Sequence, residues 1–453
     1  MAARSSSGRA DGTRRGRGLI LAAPASSSGK TLVTAALLVA LRERGVRAAA
    51  AKSGPDYIDP TFHAAAGAEL CRNLDAWAMR PAMLAGLVGL LETAADIVLC
   101  EGAMGLFDGT GASGEEGSAA SLARLTGWPV VLIVDARGQG ASAAALAAGF
   151  ARHDPAVPLT GIIFNRVAGP RHRQLLEIAL ARHLPDLPRL GALPDEPALA
   201  LPRRHLGLVP AAEHREAAAI IARAAAAAAE HLDIDGLIAL AQPSTLRSAP
   251  PIAPLPPLGQ RIAVARDEAF LFAYAAVLDG WRRAGAELLF FSPLADEPPD
   301  PAADAVYLPG GYPELHAGRL ASSRRFLAGL QAAAAGGKAL YGECGGYMVL
   351  GEALTDAAGR VHAMAGLLPL ETSFAERRQH LGYLAATLIA DAQLGAAGAR
   401  FRGHEFHYAT IAGTGRAAPL FALRDASGCD LGAAGLRQGP VAGSFIHLID
   451  RDG

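Results

Sequence analysis

The chain has 453 residues, of which 51% are hydrophobic and 19% charged. That is enough for two or three domains with large cores, and a net charge of −1 excludes long-range attraction to nucleic acid or an anionic membrane. Four cysteines, Cys71, Cys100, Cys344 and Cys429, lack the spacing of a zinc site or a disulfide framework. They predict reduced thiols in a cytoplasmic protein.

The opening segment is basic and rich in Ser and Gly, and residues 1–17 are expected to be a disordered tail. "RRGRGLILAAPASS" has the outline of a twin-arginine leader, but its apolar part, Leu19–Ala23, is too short. No apolar run is long enough to predict a membrane span. Beyond the tail, apolar runs alternate with helical stretches, the signature of an α/β fold. The expected strands are "GLILAA", "RAAAAKS", "DIVLCEG", "PVVLIVDA" and "LTGIIFNRV", then "RIAVAR", "ELLFFSP", "AVYLPGG" and "KALYGEC". Their continuous apolar character predicts sheets covered on both faces.

"LILAAPASSSGKTLVTAALLVALRERG" reads as strand, turn and helix. Small residues in the turn let backbone N–H groups converge on phosphate oxygens. Ser28, Gly29, Lys30 and Thr31 are the candidate ATP-binding residues. Lys30 would reach the terminal phosphates and the Thr31 hydroxyl would ligate Mg2+. Pro24 stands where the usual pattern has Gly. Glu101, at the end of the strand in "DIVLCEGAMGLFDG", is the second candidate Mg2+ ligand. "AAAAKSGPDYIDPTFH" follows Lys52 with Asp56, Tyr57, Asp59 and His63, a mixture suited to substrate binding at a strand's C-terminal edge.

"RAAAAAAEHL" is expected to be the last helix of the first domain. The proline-rich Ala241–Gly259 predicts a semi-rigid linker. The expected organisation is therefore a tail at 1–17, a domain at 18–240, a linker at 241–259 and a second domain at 260–453. In that second domain "AVYLPGGYPELH" and "KALYGECGGYMVLG" each end a strand in a glycine corner. Cys344, on a strand-to-helix elbow, is a candidate nucleophile whose thiol pKa the helix N-terminus should lower. Gly345 and the Gly310–Gly311 turn are the expected oxyanion hole. The candidate bases are His380, His404, His407 and His447. In "GHEFHY" the histidines are three apart rather than four, so no catalytic zinc is expected.

"KSGPDYIDPTFH", "NLDAW", "EGAMGLFDG", "FNRVAGPRH" and "RRHLGLVPAAE" resemble the cobyrinic/hydrogenobyrinic acid a,c-diamide synthase family, over nearly the whole chain after the tail. The resemblance implies an α/β architecture: a P-loop dethiobiotin-synthetase-like domain followed by a flavodoxin-like class I glutaminase domain. It implies ATP and Mg2+ as cofactors, Asn165 as the reader of adenine, and Lys52 as a second lysine at the phosphates. It places Asp56, Tyr57, Asp59 and Asp108 on the substrate side. Likeness of the second half to class I glutamine amidotransferases selects His447 as the partner of Cys344. Many members carry Glu two residues later, where this chain has Ile449. A dyad and a differently oriented imidazole both stay open.

The implied reaction is ATP- and glutamine-dependent amidation of a corrinoid polycarboxylic acid. It would run through an acyl phosphate and ammonia released from a cysteine thioester. Arg166, Arg171, Arg173, Arg203 and Arg204 are candidates to pair with the other carboxylates of such a substrate. Two alternatives are weighed. Cobyric acid synthases share both domains, but their corresponding loop is of an Ala-Gln-Asn type rather than "GPDYIDP". Partition-type switch ATPases carry a lysine five residues before the phosphate-loop lysine, where this chain has Ala25. A homodimer is left open.

Overall fold

The computed structural model describes residues 15–201, 203–204, 207–208, 216–247 and 249–452, with the side chains of 203–204 and 207–208 excepted. Its first sheet has seven strands: β1 (Arg17–Ala22), β2 (Ala48–Ser53), β3 (Cys71–Leu74), β4 (Ile97–Glu101), β5 (Val130–Asp135), β6 (Leu159–Val167) and β7 (Arg189–Pro194). Their spatial order is β3-β2-β4-β1-β5-β6-β7, and every pairing is parallel. Central strands are buried along nearly their whole length, which is why they read as unbroken apolar runs. β3 is half-buried and lies at one edge, so its "CRNL" carries no apolar signal.

Among the described residues, the end of the expected tail departs from expectation. Gly16 N–H donates to the Glu92 carbonyl at 2.7 Å, and Arg17 opens β1. Residues 1–14 of that tail lie outside the described residues. The alanine-rich helix Ala217–His231 forms as expected but is not the last of its half, because Ile234–Leu240 follows. The proline-rich segment lies against the first half. Gln242 pairs with Gly18, and Ser244 N–H donates to the buried Glu92 carboxylate at 2.6 Å.

The second half is built on a ten-stranded mixed sheet. Glu287–Phe291, Arg261–Ala265, Ala305–Leu308, Ala339–Glu343 and Val441–Ser444 are its parallel part. Asp430–Gln438, Ala418–Asp425, His380–Leu388, Arg400–His407 and His447–Arg451 continue it antiparallel. The flavodoxin-like expectation covers only the parallel part. The antiparallel strands are half-exposed and interrupted by Gly, so they lack a strong apolar signature.

The two halves dock through specific contacts. Tyr57 of the first stacks on Phe272 and Tyr274 of the second, at ring-centroid distances of 5.3 and 4.3 Å. Tyr383 Oη donates to Asp75 at 2.7 Å. Arg80, which precedes the helix Pro81–Ala94, grips the fully buried Asp450 carboxylate with Nη2 at 2.7 Å and its own backbone N–H at 2.8 Å. Truncating one partner of such a pair leaves an uncompensated buried charge. Arg80→Ala should therefore destabilise the protein by about 3 kcal/mol. A lowered midpoint in denaturant unfolding, against unchanged wild-type controls, would check it; no shift would assign docking to the aromatic contacts alone.

Candidate active site

The phosphate loop sits between β1 and helix α1 (Lys30–Glu43). Gly29 adopts φ +92°, and a Cβ there would lie 2.3 Å from Asn165 Nδ2, so only glycine fits. Ser27 also takes a left-handed conformation, at φ 64°. Ser28 Oγ closes the loop on the Ala25 carbonyl at 2.9 Å. Lys30 Nζ donates to the carbonyls of Ala25 and Met104. Burial, then the neighbouring Lys52, lower its pKa to about 8 against the pull of Glu101, Asp59 and Asp108.

Parallel register brings the next groups to the same sheet edge. Lys52 ends β2 directly opposite Glu101, which ends β4. Glu101 Oε1 accepts from Thr31 Oγ1 at 2.7 Å and from Lys52 Nζ at 3.1 Å. Its Oε2 faces His63 Nε2 at 2.7 Å. Burial would raise the Glu101 pKa, but Lys52, His63 and Thr31 outweigh it and hold the carboxylate ionised. Burial would likewise lower His63, yet hydrogen bonds to Cys71 and Glu101 raise it to about 10. Lys52 also bonds Asp59 Oδ2 at 2.5 Å. Burial and the nearby Asp56 and Glu101 carboxylates push Asp59 up to about 7, against the pull of Lys52. Asp56 Oδ1 accepts the N–H groups of Ile58 and Asp59 at 2.7 and 2.9 Å, which fixes the turn leading into the helix Asp59–Ala65. Asp108 turns back to the Gly105 N–H at 2.9 Å. Asn165 Nδ2 donates to the Ser28 carbonyl at 2.8 Å.

In the second half Cys344 has φ 47° and ψ −103°, the strained geometry of a nucleophile elbow, and heads the helix Gly345–Leu350. A Cβ at Gly346 would lie 1.9 Å from the Leu308 carbonyl oxygen, and one at Gly345 would lie 3.0 Å from Gly311 N. These glycines let the elbow pack onto the Gly310–Gly311 turn. Gly310 in turn admits His447, whose Cε1 would lie 2.2 Å from a Cβ at that position. Cys344, Gly345, Gly310, Gly311 and His447 thus form one cluster. Burial, then the Glu314 and Glu405 carboxylates, push the Cys344 thiol above its ordinary range. The expected lowering by the helix terminus is overturned, because this helix is only six residues long and the sulfur is dry. Burial also lowers His447 to about 3, so its imidazole is neutral. Among the described residues, His447 Nδ1 has no hydrogen-bond partner. Ile449 is buried in the core rather than orienting the ring.

A cavity of about 1200 Å³ runs from Lys30, Lys52 and Glu101 to Tyr383, His404 and His447. Tyr57 lies along it and meets the His447 ring at a centroid distance of 4.9 Å. Cys344 is not among its lining residues.

Residues 19–209 match the CobQ/CobB/MinD/ParA nucleotide binding domain, and residues 261–452 match the CobB/CobQ-like glutamine amidotransferase domain. The chain is 52% identical to the hydrogenobyrinate a,c-diamide synthase of Brucella suis, across 96% of this chain and 99% of that one. It is 52% identical to the protein of that name from Rhizobium meliloti, at the same coverage, and to that from Rhodobacter capsulatus across 96% and 98%. The chain belongs to the hydrogenobyrinate a,c-diamide synthase family.

For a member of this family, the structure gathers Lys30, Thr31, Lys52, Tyr57, Asp59, Glu101, Asp108 and Asn165 around one cavity. Of the five arginines, Arg166 lines it and bonds Asp135 at 2.6 Å. Arg173 pairs instead with Glu177, and Arg171 is exposed at a separate shallow depression. The side chains of Arg203 and Arg204 lie outside the described residues. Two groups escaped the sequence reading. In the sequence His63 is one member of a polar loop, yet in the fold it holds Glu101. Glu343, beside Cys344, is the second. Its buried carboxylate accepts from Tyr307 Oη at 2.8 Å and from the N–H of Leu448, next to His447, at 3.2 Å. Burial raises it to about 7. An acid inside the apolar run "ALYGE" was the signal available.

Because the resting thiol is pushed up, alkylation of Cys344 by iodoacetamide should be slow at pH 7. It should climb with pH without levelling below pH 9. Labelling measured by mass spectrometry tests this, and a plateau near neutrality would mean a preformed thiolate.

Proposed function

We propose that the chain amidates the a and c acetate carboxyls of hydrogenobyrinic acid, using ATP and glutamine. The observation that carries this reading is the single cavity joining the phosphate loop to His447. Family membership supplies the acceptor class, and the relatives' names favour a metal-free corrinoid.

A carboxylate does not exchange oxygen for nitrogen at neutral pH, because oxide is too poor a leaving group. In the first half Ser28, Gly29, Lys30 and Thr31 would hold the ATP phosphates, with Asn165 at the adenine side. The oxygen-only set of Thr31, Glu101 and Asp59 suits Mg2+, a hard cation that would offset charge on the transferring phosphoryl group. Lys52, fixed between Asp59 and Glu101, would face the same charge. Tyr57 and Asp108 line the same cavity and would face the substrate. The product of this step is an acyl phosphate with a good leaving group.

In the second half Cys344 would attack the glutamine γ-amide, with the Gly345 and Gly310–Gly311 N–H groups around the oxyanion. The neutral His447 would take the thiol proton and pass it to the departing nitrogen. Ammonia leaves uncharged and meets the acyl phosphate inside the shared cavity. A switch ATPase is disfavoured, since it has no use for the second half and Ala25 lacks the signature lysine.

Cys344→Ala should lose glutamine-driven amidation and keep ammonia-driven amidation. Lys30→Ala should lose both, because carboxyl activation precedes either nitrogen source. Product masses from hydrogenobyrinic acid, ATP and each nitrogen source decide the matter. Equal loss of both activities in a folded Cys344→Ala protein would sink the two-site reading.

A further inference from the structure

The motif "GHEFHY" has no role in the chemistry above. It forms the end of the strand Arg400–His407, and alternation splits its side chains between two faces. His404 and Phe406 line the large cavity, whereas Glu405 and His407 face the opposite side. On that side His407 stacks on Phe445 at a centroid distance of 4.0 Å, and Phe445 packs on Tyr347 of the elbow helix at 5.3 Å. Cys344 N–H donates to the carbonyl of Ser444, the residue before Phe445, at 2.8 Å. Glu405 is next in sequence to His404, the register partner of His447. The Glu405 charge reaches the Cys344 thiol.

Glu405 is held rather than loose. His407 is buried, donates from Nδ1 to the Ala409 carbonyl at 3.0 Å, and meets Glu405 Oε1 from Nε2 at 2.8 Å. Among the described residues, Glu405 Oε2 has no hydrogen-bond partner. Glu343, the carboxylate beside Cys344, is already committed to Tyr307 and Leu448.

Resting on Cys344 as nucleophile, we propose that Glu405 receives the α-ammonium of glutamine while the γ-amide lies at the sulfur, and that His407 positions Glu405. Glutamine is a zwitterion, and its ammonium needs an anionic acceptor once water is excluded. A carboxylate with one oxygen pinned and the other open, close to the nucleophile, supplies it. His380 joins Glu405 and His407 in a cluster whose ligand atoms lie within 4.8 Å, which raises a divalent cation as the other occupant. The geometry disfavours it. The His380 and His407 rings are stacked 12° from parallel, so their in-plane lone pairs do not converge on one point. Both His407 nitrogens already face protein oxygens, so a metal would have to displace one of these contacts.

The test is Glu405→Gln in the full chain, with ammonia-driven amidation as the control for folding. The KM for glutamine should rise about 30-fold, the equivalent of one charge-assisted hydrogen bond, with kcat largely kept. Wild type should prefer glutamine over glutaramate, the same amide without the α-amino group, and the variant should lose that preference. Glu405→Asp should fall between the two, and His407→Asn should raise KM in the same sense. An unchanged KM and an unchanged preference would overturn the proposal. So would stoichiometric zinc by elemental analysis in wild type, lost in Glu405→Gln without a change in KM. Failure of the Cys344 reading is separable, because then Cys344→Ala would still use glutamine whatever Glu405 does.

Discussion

An ionised carboxylate taken out of water costs several kcal/mol unless charge and hydrogen bonds surround it. Glu101 is 1% exposed, and much of the first half is arranged around that cost. Thr31 comes from the helix after the phosphate loop, Lys52 from a neighbouring strand, and His63 from the helix Asp59–Ala65. Three separate elements therefore converge on one side chain. Each is also tied, by contact or by its place in the chain, to a further group with a proposed part in phosphoryl transfer. Thr31 follows Lys30, Lys52 carries Asp59, and His63 shares its helix with Asp59. Moving Glu101 would disturb the loop, the substrate segment and the sheet edge together, which is how one buried acid makes the site rigid before any ligand arrives.

The second constraint is the seam between the halves. Tyr57 projects from the substrate loop into an aromatic group of Phe272 and Tyr274 and touches His447. Tyr274 Oη donates back to the Pro55 carbonyl at 3.0 Å, so the loop is bonded to the half that would supply nitrogen. Arg80–Asp450 and Tyr383–Asp75 bury charged or polar partners across the same seam. The halves are packed as one body around the cavity. On the proposed reading this matters chemically, because an acyl phosphate open to bulk water would hydrolyse before ammonia found it.

Much of this was legible in the sequence, for identifiable reasons. β1, β2, β4, β5 and β6 are buried on both faces, so their apolar runs were unmistakable. Gly29 and the Cys344 elbow were legible because tight backbone turns leave glycine beside a functional group. What escaped has equally physical causes. β3 and the antiparallel strands are half-exposed and read as neither helix nor strand. His63 sits 38 residues from Glu101, and only the parallel register brings their elements together. The direction of the thiol pKa is not legible in the sequence, because a glycine-rich corner says where sulfur points, not how dry its surroundings are.

That dryness carries a consequence for nitrogen transfer. With Cys344 pushed up and His447 pushed down, the resting pair holds its proton on sulfur and no net charge. On the proposed reading, an imidazole that burial makes so weak a base would not keep the thiol proton, which would pass to the amide nitrogen as the C–N bond breaks. The nitrogen would then leave as ammonia, with the imidazole neutral again. Ammonium would be useless to the acyl phosphate, since it has no lone pair. A base that burial makes poor at storing protons thus suits an enzyme whose intermediate product must stay uncharged until it reacts.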